Sequence, residues 1–352
     1  MKAVVKFKDG KDGWEIRDVQ RPNPMEHEVE IKVMAAGICG SELHLYHDNH
    51  TYTPPVVVGH EFCGEIVRVG SKVTKWKIGD RVVSENNKEV CGACEFCRTG
   101  RPILCPERKP VGYKVNGGWT SYFCTPEHLL IKIPDNVSFN EAAMTEPVSV
   151  ATQALIVRGT VKIGDMVLVQ GCGTIGLINA MVAKAIGAKK VILTGTNADE
   201  QVRLPIARKL GIDVVVNVEQ KDLKEIVRQE TDGLGLDVIV EASGADSAIY
   251  GMVELLKKTG TIVAIGETVR ADLPFPWVSA VFKSCTIAYS FGATYEAWKL
   301  ALTLMGQKKI DLAPLITHEI PLEDFRTGFE LLEKKEALKV IMRASDYART
   351  SS

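Results

Sequence analysis

The sequence predicts an α/β chain of two units, a doubly wound parallel sheet joined to a mostly antiparallel β domain. Three observations carry that expectation. From Asp165 onward, apolar runs alternate with helical segments. A Gly-x-Gly-x-x-Gly triplet stands where the first of those runs passes into a helix. Residues before about 150 instead give short strand-like runs broken by Gly and Pro. Length agrees, because 352 residues exceed what one ordinary core holds.

Residues 1–8 alternate charged and apolar side chains and read as an edge strand, not as the apolar core of a signal peptide. Residues 29–34, 65–69 and 81–84 read as strands of an irregular antiparallel domain. Beyond it, residues 166–170, 191–194, 214–216, 237–241 and 261–265 read as buried parallel strands, with 286–291 as a sixth. Helices are expected between them at 175–186, 199–210, 223–229 and 247–257. Residues 296–305 and 322–334 then read as helices and 339–343 as a last strand. This tail leaves the alternating pattern, so it is expected to rejoin the first unit. The divisions expected are 1–150, 151–290 and 291–352.

With 45% hydrophobic and 25% charged residues the chain has an ordinary globular mixture. A net charge of -1 gives no attraction to nucleic acid or to an anionic membrane surface. No apolar run reaches the roughly 18 residues that span a bilayer. A soluble cytoplasmic protein is expected, with no nucleic-acid or membrane partner.

Of nine cysteines, four fall within residues 91–105: Cys91, Cys94, Cys97 and Cys105, at gaps of two, two and seven. Clustered cysteines in a large chain without an export signal favour metal over disulfides. Two-residue gaps let successive sulfurs face one centre, and Gly92 and Gly100 supply tight turns. Four thiolates suit structural zinc, leaving no open position for chemistry. An iron–sulfur run is the rival, but the third gap does not match.

A second donor set is scattered. Cys39 lies in Gly-Ile-Cys-Gly-Ser-Glu-Leu-His, His60 and Glu61 in Gly-His-Glu-Phe-Cys, and Glu146 in Thr-Glu-Pro-Val-Ser-Val. A catalytic zinc needs three protein ligands and one exchangeable position. Taken singly, Cys39 is more often a small hydrophobe, His60 a turn residue and Glu146 a helix-start residue beside Pro147. Their joint occurrence beside a cofactor motif reverses that weighting. Cys63, Cys124, Cys172 and Cys285 read as packing residues.

The apolar run ending at Gln170 enters Gly171-Cys172-Gly173-Thr174-Ile175-Gly176. The first Gly allows the turn, the second admits a pyrophosphate, and the third lets helix and strand pack. The helix start at Thr174 and Ile175 offers free N–H groups to the phosphates. After the second strand an NAD site usually carries an acid; here Gly195, Thr196 and Asn197 stand instead, with Asp199 late and Arg203 beyond. NAD and NADP both stay open.

Together these pieces resemble the zinc-containing medium-chain dehydrogenase/reductase family along nearly the whole chain. Gly59-His60-Glu61, the four-cysteine lobe, Gly79-Asp80-Arg81-Val82, the Gly112…Gly117-Gly118 segment and the glycine triplet carry the likeness. Glu146 places it nearest the sorbitol, threonine and polyol-phosphate dehydrogenase branch. The resemblance implies a GroES-like catalytic domain with a structural zinc lobe, a Rossmann domain, two zinc ions per chain, NAD or NADP, and a dimer or tetramer. It implies Cys39 and His60 as catalytic-zinc ligands, with Glu61 and Glu146 as direct or exchangeable ones. Ser41 would relay the alcohol proton and His44 would take its outer end. Two departures stand out: Glu42 replaces the branch's frequent Asp, and residues 288–292 lack an Arg.

The expected activity is oxidation of a polyol's secondary alcohol to a ketone. Polyol-phosphate or L-threonine substrates are the alternatives, and Arg101, Arg108 and Lys109 are candidates for a phosphate. A non-catalytic cofactor-binding protein is the reading from another class.

Overall fold

The computed structural model describes residues 1–268, 270 and 272–344. Residues 345–352, part of the tail expected to return, lie outside the described residues.

The α/β class read from the sequence is the one the chain adopts. A six-stranded parallel sheet runs in the spatial order Val214–Asn217, Lys190–Gly195, Met166–Gln170, Leu236–Glu241, Leu256–Ala264, Thr286–Tyr289. In the central strand Val167 and Val169 enter one core cluster, and Met166 and Leu168 enter another. Helices cover both faces, which is why these strands read as unbroken apolar runs. Order reverses between Met166–Gln170 and Leu236–Glu241, so a crevice opens at their carboxyl ends.

A second sheet runs in the order Ile316–Pro321, Lys339–Arg343, Glu28–Gly37, Phe62–Val69, Arg81–Ser84, Leu130–Lys132, and Tyr122–Pro126 also pairs with Glu28–Gly37. All its pairings are antiparallel except that between Ile316–Pro321 and Lys339–Arg343. The last strand thus pairs with one near the chain start, Ile341 opposite Gly37. Aromatic packing fastens the same closure. Phe329 lies edge-on to Trp14 at 5.3 Å between centroids, and Trp119 sits 5.8 Å from Phe329. Such pairs add about 0.5–1.5 kcal/mol each beyond area burial.

Several expectations change. Residues 1–8 are not an edge: Lys2–Lys6 is the middle strand of a three-stranded sheet, between Trp14–Asp18 and Val56–Val57. Its Lys6 is fully buried against Asp48 at 2.7 Å, so the alternating charge is a satisfied interior one. The helix expected from 199 starts at Arg203, after a 3-10 turn at Asn197–Asp199. Asp199 spends its carboxylate capping Thr196, and Pro205, which has no N–H to donate, fits only the first turn. The helix Asp246–Leu255 gives way directly to its strand at Leu256, five residues earlier than expected. The sequence reading missed the helix Trp277–Lys283 and the strand Ile316–Pro321.

The helix Thr145–Thr152 and the π turn Gln153–Val157 carry the chain past residue 150 without a break. Met144, Val148 and Ala151 pack in one core with Leu177, Ala297 and Ala301. Among the described residues no helix is long and apolar enough to cross a membrane.

Candidate functional site

The four cysteines of the first cluster converge. Their sulfurs all lie within 4.8 Å of one another. Cys94 caps the short helix Glu95–Arg98 and accepts from the Cys97 N–H at 3.5 Å. The Cys94 N–H in turn reaches Cys91 Sγ at 3.3 Å. Gly92 and Gly100 stand at φ +70° and +74°, the left-handed turns that curl the loop. Backbone N–H groups of Cys94 and Ala93 pull the Cys91 thiol down to about 7, while burial and its thiol neighbours push Cys97 up to about 12. Four sulfurs this close ionise together only around a cation, and the set fits a closed tetrahedral zinc.

The second set also meets. Ligand atoms of His60, Glu61 and Glu146 lie within 4.8 Å of one another, and so do those of Cys39, Glu42 and His60. Cys39 stands at the N-cap of the helix Gly40–Tyr46, its N–H bonded to Glu42 Oε2 at 2.9 Å. The other Glu42 oxygen holds His60 Nδ1 at 2.5 Å. Burial opposes a charge on His60, but the Glu42 carboxylate outweighs it and raises its pKa well above the usual value. With Nδ1 engaged, Nε2 is the nitrogen left facing Cys39. Glu42 is therefore a positioning residue, holding the ring as carboxylates hold metal-bound imidazoles. The sequence carried its signal: an acid three residues after Cys39, in capping-box register. Replacing it, as Glu42→Gln, is expected to weaken zinc affinity at this centre about 10–100-fold. Competition with a fluorescent chelator checks this, and unchanged affinity refutes the positioning role.

Glu61 is buried, and its Oε2 is ion-paired to the equally buried Lys339, which also donates to the Ile38 carbonyl at 3.0 Å. Its Oε1 has no hydrogen-bond partner among the described residues. Glu146 accepts only a long bond, 3.3 Å, from Asn86 Nδ2, and burial pushes its carboxyl up to about 7. A bare buried carboxylate oxygen beside an imidazole and a thiol is the donor set an electrophilic zinc requires. Lys339 escaped the sequence reading; a lysine opening an otherwise apolar strand was its only sign.

These groups face a cleft of about 490 Å³ between the two sheets. Cys39, Ser41, His44, His60 and Glu146 line one side, and Ile175, in the helix after the glycine turn, lines the other with Ala242, Ser243, Ile265 and Gly266, just past the ends of two parallel strands. Ser41 Oγ is 3.7 Å from Cys39 Sγ, and Tyr113 lines the same cleft. Burial holds His44 below its usual pKa, and its ring lies edge-on to His50 at 5.6 Å. His50 pairs with Glu267 at 3.0 Å, which raises its pKa. No hydrogen bond joins Ser41 directly to His44 among the described residues. Arg108 lines the cleft; Arg101 folds onto Thr99 and Lys109 pairs with Glu89 outside it.

At the glycine turn, Gly171 has φ +98°. A Cβ on Gly176 would collide with the Gly171 carbonyl, whereas one on Gly173 would meet nothing within 4 Å. That open side lies before a helix without a side-chain cap, whose first N–H groups are of the kind that bind anions. The Thr174 hydroxyl turns away to the Leu338 carbonyl at 2.9 Å. Gly195 is required by packing, since a Cβ would strike Cys172 and Leu204. Asn197 Oδ1 is occupied by Asn217 and Gln220. Asp199 curls back to the Thr196 N–H and hydroxyl, and Arg203 and Lys335 approach it at 3.4 and 3.2 Å. Two cations thus stand beside Thr196; Lys335 was not foreseen. Cys63, Cys124 and Cys172 are buried and Cys285 is partly buried, as packing residues would be.

Two family models match the chain, one described as an alcohol dehydrogenase GroES-like domain over residues 25–135, the other as a zinc-binding dehydrogenase over 174–307. The chain belongs to the zinc-binding alcohol dehydrogenase family. It is an NAD(P)-linked oxidoreductase. This dehydrogenase is 36% identical to a sorbitol dehydrogenase of Halalkalibacterium halodurans, covering 98% of this chain and 100% of the relative. It is 34% identical to a D-arabitol-phosphate dehydrogenase of Enterococcus avium, covering 98% of each. It is 37% identical to an L-threonine 3-dehydrogenase of Rhizobium etli, covering 97% and 98%. Among solved structures, a zinc-binding dehydrogenase of Sinorhizobium meliloti bound to NADP superposes with a TM-score of 0.89 at 27% identity, covering 97% and 98%.

Proposed function

We propose that this dehydrogenase oxidises a secondary alcohol of a small polyol or related hydroxyl compound to the ketone, with NAD or NADP. The observation that carries this reading is that His60 shares one donor group with Cys39 and another with Glu61 and Glu146, and that Cys39, His60 and Glu146 line a cleft bounded also by the ends of the parallel strands. Cys39 and His60, with Glu61 and Glu146 as direct or exchangeable partners, would hold a catalytic zinc, and Cys91, Cys94, Cys97 and Cys105 a structural one, two per chain. When bound, the zinc would act as a Lewis acid that makes the substrate hydroxyl more acidic, and the nicotinamide would accept the hydride.

The chain's own part is to orient the alcohol and take its proton. The carbinol C–H bond yields a hydride and the O–H bond a proton, leaving C=O. Ser41, able both to accept and to donate, receives that proton. His44, kept neutral near pH 7 by its lowered pKa, is the next acceptor. Because no hydrogen bond joins Ser41 directly to His44 among the described residues, this relay requires a bridging hydroxyl in the cleft.

The cofactor lies along Gly171, Gly173, Thr174, Ile175 and Gly176, with Gly195, Thr196, Asn197 and Arg203 around its ribose. Arg203 and Lys335 place positive charge where a 2′-phosphate would need it, while Asp199 already spends its carboxylate on Thr196 and on those two cations, so NAD and NADP both stay candidates. Pairing of Lys339–Arg343 with Glu28–Gly37 supports a catalytic domain of residues 1–150 plus 291–352, with 151–290 as the nucleotide domain. The exposed Trp277, Val278, Val281 and Phe282 beside the edge strand Thr286–Tyr289 support a dimer or tetramer, which sedimentation as a monomer would exclude.

The test is turnover of sorbitol, L-threonine and D-arabitol phosphate with each cofactor. NAD(P)H production with at least one of them is expected. No reduction of either cofactor by any alcohol, in protein carrying about two zinc ions per chain, sinks the reading.

A further inference from the structure

Arg108 lines the cleft but takes no part in the redox chemistry. The residue arrives from the segment after the four-cysteine loop, and burial pushes its pKa down. Its Nε donates to Asn87 Oδ1 at 2.5 Å, which fixes the plane of the guanidinium. Its centre lies 5.9 Å from the Phe291 ring. No carboxylate stands within ion-pair distance among the described residues; the carboxylate that acts on it at longer range is that of Glu146. Ser290 Oγ, one residue before Phe291 and also in the cleft lining, is buried with no hydrogen-bond partner among the described residues. Lys114 adds a second cation to the same lining.

A guanidinium half-withdrawn from water, with no carboxylate in contact among the described residues, is a charge that a ligand anion can answer. Its remaining N–H donors match the two oxygens of a carboxylate or phosphate, and a free hydroxyl beside it can add a third bond. A neutral polyol would leave this charge unanswered. We propose that Arg108, with Ser290, recognises an anionic oxygen group on the substrate, so the alcohol oxidised here carries a phosphate or a carboxylate besides its reacting hydroxyl. The proposal rests on the reading of this cleft as the place of alcohol oxidation. Phosphate and carboxylate share the recognising chemistry, and matched substrates separate them.

The experiment compares kcat/KM for arabitol with arabitol phosphate, and for threoninamide with threonine, in the wild type and in Arg108→Gln, Arg108→Lys and the remote control Lys72→Gln. One anionic member is expected to exceed its neutral partner, and that pair names the group. Arg108→Gln is expected to lower kcat/KM for it by about 10–10²-fold, chiefly through KM, with the neutral partner changed less than about threefold. Arg108→Lys should recover part of the loss, and Lys72→Gln should change nothing. Equal use of both members in both pairs overturns the proposal, as does an equal loss on neutral and anionic substrates in Arg108→Gln. Calorimetric titration with inorganic phosphate and with acetate reads the subsite without turnover. Weaker binding of one anion to Arg108→Gln supports the proposal even if none of these alcohols is oxidised, when the functional reading alone fails. Equal binding by both proteins overturns it.

Discussion

Cys39→Ser is expected to abolish turnover, lowering kcat/KM by at least about 10³-fold, while the protein stays folded. Removing a thiolate from the open donor set forfeits a Lewis acid worth several kcal/mol in the transition state. Folding is spared for a local reason. Cys39 is the N-cap of Gly40–Tyr46, Glu42 completes the capping box, and serine is among the strongest N-cap residues. The variant should therefore stay folded, keep any metal held by Cys91, Cys94, Cys97 and Cys105, and bind about one zinc ion per chain where the wild type is expected to bind about two. Metal analysis alongside steady-state rates checks this. Full activity in the variant would remove Cys39 from the site.

Lys339→Met is expected to destabilise the fold by about 3–5 kcal/mol, because it leaves the Glu61 carboxylate buried without its countercharge. Burial opposes the ammonium, but Glu61 outweighs it and raises the Lys339 pKa. A raised pKa means the contribution is whole below the free-lysine value of about 10.4 and fades only as pH climbs through the folded value. The loss should thus appear undiminished at pH 7. Denaturant unfolding of the zinc-loaded protein measures it, and the double variant Lys339→Met/Glu61→Gln should recover most of the difference. A single variant as stable as the wild type would mean that the pair does not tie the returning strand to the site.

Much of the fold was legible because the signals were local. The strands Met166–Gln170, Arg81–Ser84 and Lys339–Arg343 have the bounds read from the sequence, since an apolar run between turn residues has few alternatives. Residues 1–8 misled because an alternating charged pattern marks a solvated edge in most chains. Here Asp48, forty-two residues from Lys6, turns one of those charges inward. The strand Ile316–Pro321 went unread because Thr, His and Glu break its apolar pattern, and its pairing with Lys339–Arg343 supplies what the pattern lacks.

The sequence alone determined which atoms are available: four thiols at metal spacing, a Cys, a His and two Glu of the right kinds, and a glycine turn between strand and helix. Spacing and residue type are properties of the chain. Tertiary structure decided which of those atoms meet and in what electrical state. It set Glu42 on His60 and Lys339 on Glu61, left Glu61 Oε1 bare, and turned Arg108 rather than Arg101 or Lys109 into the cleft. Contacts between residues as distant as Glu61 and Lys339 form only when sheets close, and burial then gives each charge its weight.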